Sequence, residues 1–182
     1  MVADTATFID ERSKPTGATA GHQLAVGGER GPVENEDYVS AQLRMESGAR
    51  CVLEASRVSV GEQNSYGFEV HGTAGVVRWD YRRMGELEVG TGGAYQDQSV
   101  ATRYVGPGAG DYAAFQPGSA NPMSYDDLKV IEAARFCEAI ANGPERATGA
   151  TITDAVRSAE VLDAMGESVR AGRWVEPVRV NP

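Results

Sequence analysis

Apolar and polar positions alternate with a period of two from Tyr38 to Met45. Val39, Ala41, Leu43 and Met45 fall on one side, and Tyr38, Ser40, Gln42 and Arg44 on the other. That spacing predicts a strand with one face on a core. The short link Glu46–Arg50, containing Ser47-Gly48, returns the chain into the run CVLEASRV, so the pair reads as a hairpin. Phe68–His71 and Val76–Tyr81 flank Gly72-Thr73-Ala74-Gly75, a second hairpin whose glycines can adopt positive φ. Glu86–Val89 and Ser99–Val105 are two further expected strands, and VADTATFI at 2–9 alternates as another.

The period then lengthens. Val130, Ala133, Ala134, Cys137, Ile140 and Ala141 lie at i, i+3, i+4, i+7 spacing and predict one apolar helical stripe. Ser124 can cap this helix, with Asp127 favourable to its dipole, and Asn142-Gly143-Pro144 stops it. A second helix begins near Thr151, with Asp154 three residues on. Ala155, Ala159, Leu162, Met165 and Val169 form its expected buried face, and Gly172 ends it. Arg173-Trp174-Val175 is a candidate last short strand. The stretches 11–36 and 106–123, rich in Gly and Pro, read as long loops.

Sheet first and helices afterwards predicts an α+β fold: an open antiparallel sheet over 38–105, with two helices over 124–172 packed on one face, in a single domain of residues 1–182. Helices on one side leave the other face to solvent, a ligand or a partner. Trp79 and Tyr81 share a side with Val77, and an uncovered apolar face of that kind favours association.

Composition narrows the partners. With 41% hydrophobic residues the chain can build an ordinary core. A net charge of −9 and no long Lys/Arg run argue against nucleic acid. No apolar run approaches the roughly 20 residues that span a bilayer, and MVADTATFID lacks the pattern of a signal peptide. Two distant cysteines, Cys51 and Cys137, fit a reduced, cytoplasmic setting. They and the two histidines make no metal constellation.

Four segments in order carry a resemblance. "LEASRVSVGEQNSYGFEVHGTAGVVRWD", "YAAFQPG", "SYDDLKVIEAARFCEAIANG" and "TDAVRSAEVLDAMGESVRAGRWVE" resemble the C-terminal domain of the Gfo/Idh/MocA oxidoreductases, a likeness running from about Tyr38 to Glu176. Such proteins pair a Rossmann domain that holds NAD(P) with an α+β domain that supplies part of the substrate pocket and much of the oligomer interface. The resemblance therefore implies a substrate-binding and oligomerisation domain of an NAD(P)-dependent sugar or polyol oxidoreductase, not catalytic by itself.

The departures matter as much. A dinucleotide site needs a strand, a G-x-G-x-x-G turn and a helix N-terminus. The glycine runs GTGG at 90–93 and GPGAG at 106–110 open no helical pattern. The family's E-K-P motif is missing, since Lys14-Pro15 follows Ser13. Its D-x-x-x-H signature is missing too, since His22 has Ala18 four positions before it and His71 has Gly67. The chain is thus expected to start just after the family's catalytic segment and to bind no cofactor, NAD(P) being implied for a Rossmann domain outside it. The partners expected are a second copy through the open sheet face, a Rossmann-type chain, and a sugar-like small molecule. The alternative is a freestanding scaffold or small-molecule-binding subunit that has lost redox chemistry.

The candidates for facing substrate are Arg57, Asn64, Tyr112 and Tyr125. Arg57 ends a strand and can reach a hydroxyl or carboxylate, or it can pair with Glu54 or Glu69 or make a subunit contact. Asn64 can bond a hydroxyl, or satisfy its own loop. Tyr112 and Tyr125 flank the second long loop and can line a pocket mouth, or anchor the loop by packing. His71 reads as a surface or cross-strand residue, and Cys137 as core.

Overall fold

The structure is a computed structural model that describes residues 1–17, 26–109, 114–115, 118–119, 121–143 and 148–180. It is α+β, with antiparallel sheets and two helices. The chain divides into two compact units, Met1–Val60 with Ala150–Pro182, and Gly61–Gly149.

The first unit holds a three-stranded sheet in the order β1 (Val2–Ala6), β4 (Tyr38–Arg44), β5 (Arg50–Ser56). The alternation in β4 is realised: Val39, Ala41 and Leu43 face the core. The tight return at 46–49 sets the register that places Ala41 opposite Leu53. Helix α2 (Ile152–Ala171) lies on this face, where Ala41, Ala164, Met165 and Val175 are buried and Ala3 and Val161 pack against them.

The buried side of α2 matches the expected one only at Met165. Leu162 is 65% exposed, and Ala155, Ala159 and Val169 are exposed too, whereas Glu160, Ala164 and Ser168 are buried beside Met165. Two polar groups turn the helix. Ser168 Oγ accepts from Ala3 N and donates to the Arg173 carbonyl, and buried Glu160 accepts from Val180 N and Arg157. A count of apolar positions cannot anticipate either anchor. The expected caps are present: Thr151 and Asp154 form a capping box, and Gly172 closes α2 at φ 60°. Arg173–Val175 makes no strand, but Met1 and Val175 exchange both backbone hydrogen bonds.

The stretch 11–36, expected as a loop, carries two strands. β2 (Glu11–Pro15) and β3 (Val26–Pro32) pair antiparallel. Their sequences hide this because neither buries a face. The pairing is held by backbone bonds and by exposed ion pairs of Lys14 with Glu29 and Arg30 with Glu11. His22 and residues 18–25 lie outside the described residues.

The second unit holds a four-stranded meander: β6 (Gly67–Gly72), β7 (Gly75–Asp80), β8 (Glu86–Thr91) and β9 (Ala101–Tyr104). Gly75, at φ 158°, turns the β6–β7 hairpin so closely on Gly90 that a side chain there would strike the Gly90 carbonyl. The strands expected as one meander over 38–105 are thus hydrogen-bonded as two sheets, broken after β5. One face of the second sheet carries Phe68, Val70, Val77, Trp79 and Val89, in the register Phe68–Trp79 and Val70–Val77–Val89. Tyr66, Phe68 and Tyr81 surround Trp79 with ring centroids 5.5–6.1 Å away.

Helix α1 (Tyr125–Asn142) starts at Ser124 as expected, and the amide and hydroxyl of Ser124 both donate to the Asp127 carboxylate. Its expected core stripe is not buried. Val130, Cys137 and Ile140 are exposed, Ile140 at 70%, and α1 has no buried residue. Residues of intermediate exposure, Leu128, Ile131, Arg135 and Ala139, occupy the opposite side. Cys137 is therefore an exposed thiol and not a core residue. No helix of the described residues is long and apolar enough to cross a membrane.

Candidate functional site

Arg57 follows β5 and is drawn to a buried carboxylate. Asp37, at the start of β4, has a fully buried side chain. One carboxylate oxygen accepts from Phe8 N at 2.8 Å and Ile9 N at 2.9 Å; the other accepts from Arg12 at 3.0 Å and Arg57 Nε at 2.9 Å. The amide of Ile9 is the largest cause holding the Asp37 carboxyl far below the usual range, with Arg57, Phe8 and Arg12 adding to it against the opposing effect of burial. Arg57 Nη2 also donates to the carbonyl and side chain of Asn35. Its ion pair is therefore with Asp37, and with neither Glu54 nor Glu69. The Arg57 side chain as a whole remains 42% exposed.

Asn64 lies in the loop before β6 at φ 46°, a left-handed conformation that asparagine tolerates better than most residues. It is exposed, and its carboxamide makes no hydrogen bond among the described residues. Tyr125 opens α1, 56% exposed, with Lys129 Nζ 5.4 Å from its ring centre. Tyr112 lies outside the described residues. Arg57 belongs to the first unit and Asn64 and Tyr125 to the second. His71 is exposed beside Glu69, as its position before a turn predicts.

Two clefts in the second unit flank the 3-10 turn Tyr81–Arg83. One, of about 460 Å³, runs from Ser65 and Tyr66 over Glu69, Arg78 and Asp80. The other, of about 570 Å³, is walled by Arg83, Glu86, Tyr104 and Asn121 over Met84 and Met123. Their cations are answered internally. Arg82 meets Asp80 at 3.1 Å and Glu62 at 3.3 Å, Arg78 meets Glu69 at 2.8 Å, and Arg83 meets Glu86. The bond from His71 and then that from Arg78 lower the Glu69 carboxyl, and Arg82 lowers that of Asp80. Carboxylates held ionised in this way are weak bases, so the clefts suit neutral hydroxyl-bearing ligands better than proton transfer. The Asn121 amide donates to the Gly118 carbonyl, which leaves its oxygen to accept.

Asp37 and the cleft residues Arg83, Tyr104 and Asn121 were not singled out from sequence. The signal for Asp37 is an acidic residue next to the first residue of a strongly alternating strand. The cleft residues offer none, because Arg83, Tyr104 and Asn121 come from separate segments that share no local pattern and line one cleft only in the folded unit. Among the described residues no cluster of His, Cys, Asp and Glu suits a metal.

Residues 17–176 match the family model described as the oxidoreductase family, C-terminal alpha/beta domain. The chain is 32% identical over 178 residues to levoglucosan dehydrogenase of Pseudarthrobacter phenanthrenivorans, covering 96% of itself and 45% of that protein. It superposes on the apo structure of a levoglucosan dehydrogenase with a TM-score of 0.84 at 31% identity, covering 99% of this chain and 46% of that one. An NAD-binding oxidoreductase from Klebsiella pneumoniae aligns with a TM-score of 0.78 at 28% identity, over 98% of this chain and 45% of that one. The chain thus spans about half the length of the relatives it matches. It belongs to the Gfo/Idh/MocA oxidoreductase family and corresponds to that family's C-terminal α/β domain.

Proposed function

We propose that the chain is the substrate-binding and assembly part of an NAD(P)-dependent dehydrogenase that oxidises a hydroxyl of a sugar-like compound. Hydride transfer belongs to a Rossmann part outside these 182 residues. The observation that carries the reading is the coverage: nearly all of this chain aligns with under half of a levoglucosan dehydrogenase. Structures titled as complexes of that enzyme with NADH, and with NADH and levoglucosan, align over 98% of this chain. The chain itself has no G-x-G-x-x-G run. Internally paired charges, and the carboxamide of Asn64 that makes no hydrogen bond among the described residues, suit a neutral polyhydroxyl substrate better than an anionic one. Large apolar side chains exposed on the second sheet, Phe68 at 52% and Val70 at 58%, support the assembly role.

The test is reconstitution. The chain is combined with a Rossmann-type polypeptide, in one reading frame or as a partner recovered with it, and NAD(P) reduction is followed on a panel of sugars and polyols. Turnover that needs both parts, with KM raised by Asn64→Ala, is the expected result. Failure to recover any such partner, or turnover indifferent to the presence of this chain, favours a freestanding binding subunit.

A further inference from the structure

Asp37 holds two arginines with a single negative charge. One of its oxygens is taken by the amides of Phe8 and Ile9, and the other accepts from both Arg12 and Arg57. Four donors fill the acceptor capacity of a carboxylate. Two guanidinium groups thus meet on one atom, with their bonded nitrogens within about 6 Å of each other. Neither meets a second carboxylate among the described residues. Elsewhere in the same unit Lys14 has Glu29, Arg30 has Glu11 and Arg179 has Glu46. One arginine would neutralise Asp37. The second adds repulsion between like charges, which an incoming anion relieves.

Donors are left over as well. Arg57 Nη2 is taken up by Asn35, but Arg57 Nη1 and the Nε and Nη1 of Arg12 donate to nothing among the described residues. Both side chains are nearly half exposed, so an anion can reach them. They are also held in place. A free surface arginine loses side-chain freedom when it grips an anion, whereas these two are already anchored on a buried carboxylate that is kept ionised. In a chain of net charge −9, this fixed local excess of one positive charge draws an anion to one place. A carboxylate cancels the excess, and a phosphate dianion overshoots it. Beside the charges lies apolar surface. Phe8 and Ile9, whose amides bind the other oxygen of Asp37, have side chains that are largely open to solvent, Phe8 at 65%.

We infer that Arg12 and Arg57 form a binding site for the carboxylate of a small molecule with an apolar or aromatic body, the carboxylate against both guanidinium groups and the body on Phe8 and Ile9. This goes beyond the dehydrogenase reading. The site belongs wholly to the first unit, whereas the clefts that suit neutral ligands belong to the second.

Benzoate is the probe. The side-chain Nε–Hε resonances of the isotope-labelled full chain are followed during titration at constant ionic strength, and are assigned through Arg12→Lys and Arg57→Lys. Those of Arg12 and Arg57 are expected to shift saturably. Acetate, which lacks the apolar body, is expected to bind about tenfold more weakly. Arg12→Lys keeps the charge but loses the fork, and is expected to weaken benzoate by about tenfold. Phe8→Ala should bring benzoate down toward acetate. Shifts that chloride reproduces, that reach Arg44 and Arg50 equally, or that stay confined to one arginine of the pair overturn the inference. So does acetate or inorganic phosphate binding as tightly as benzoate, or a benzoate affinity unchanged in Arg12→Lys. The parent chain is read directly, so a variant that fails to fold does not shield the inference. No readout depends on turnover, so the outcome is distinct from that of reconstitution with a Rossmann-type part.

Discussion

Arg57 Nε donates to Oδ1 of Asp37 at 2.9 Å across 20 residues of sequence, and the backbone closes the same loop through Arg57 N to the Asp37 carbonyl at 3.0 Å. One buried carboxylate thus ties the end of β5, the start of β4 and the chain leaving β1.

Asp37→Asn is expected to loosen all three. The carboxylate accepts from two backbone amides on one oxygen and two guanidinium groups on the other. A carboxamide in its place turns an NH2 toward donors on one side, so two hydrogen bonds become donor–donor clashes. The melting temperature is expected to fall by roughly 5 °C or more. Exchange of the Phe8 and Ile9 amides should accelerate more than that of α2, and equal acceleration at both places would show that Asp37 acts globally.

The same carboxylate sets an acid limit. Asp37 and Glu160 are both held below their usual ranges, Asp37 first by the Ile9 amide and Glu160 first by Arg157. Groups with a depressed folded pKa stabilise fully above the unfolded value, about 4 for a carboxyl, and lose that contribution as pH falls through the folded one. Urea unfolding should give a stability nearly flat from pH 7 to about 5, declining below about 4. Asp37→Asn should show a shallower decline, since it carries one such group fewer. Parallel profiles for parent and variant count against the assignment.

What was legible in the sequence follows from how local each cause is. The β4 alternation, the return at 46–49, the Gly72–Gly75 hairpin and both helix starts depend on residues within a few positions of one another. β2 and β3 went unseen because paired strands that bury no face leave no period. The rotation of α2 depends on Ser168 reaching Ala3, 165 positions away. For the site, Arg57 was recognised as a notable arginine, but its partner was not, because Asp37 is brought to it by strand register alone. Tyr104 and Asn121 share a cleft across a length of sequence that no local pattern spans.

Ser168→Ala is expected to cost about 1–3 kcal/mol, the penalty for leaving a partly buried amide without an acceptor. Ser168 is wholly buried, accepts from Ala3 N at 3.0 Å and donates to the Arg173 carbonyl at 2.8 Å. The volume change is one oxygen atom, so packing alone predicts a much smaller loss. Denaturant titration separates the two, and a loss below about 0.5 kcal/mol would show that water replaces the hydroxyl.

The two helices should answer truncation differently. Met165 of α2 is 5% exposed within the core, and Met165→Ala is expected to cost about 2–5 kcal/mol. Ile140 of α1, although it falls on that helix's apolar stripe, is 70% exposed, and Ile140→Ser should change stability by about 0.5 kcal/mol or less. Cys137 on the same stripe is exposed, so a thiol reagent should label it in the native chain without denaturant. The comparison is sharp because both helices have apolar stripes and differ chiefly in what lies against them. A large cost at Ile140 together with a protected Cys137 would mean that the α1 stripe is covered in solution, by this chain or by a second one. Repeating the labelling across a concentration series separates those two, since only cover from another copy is lost on dilution.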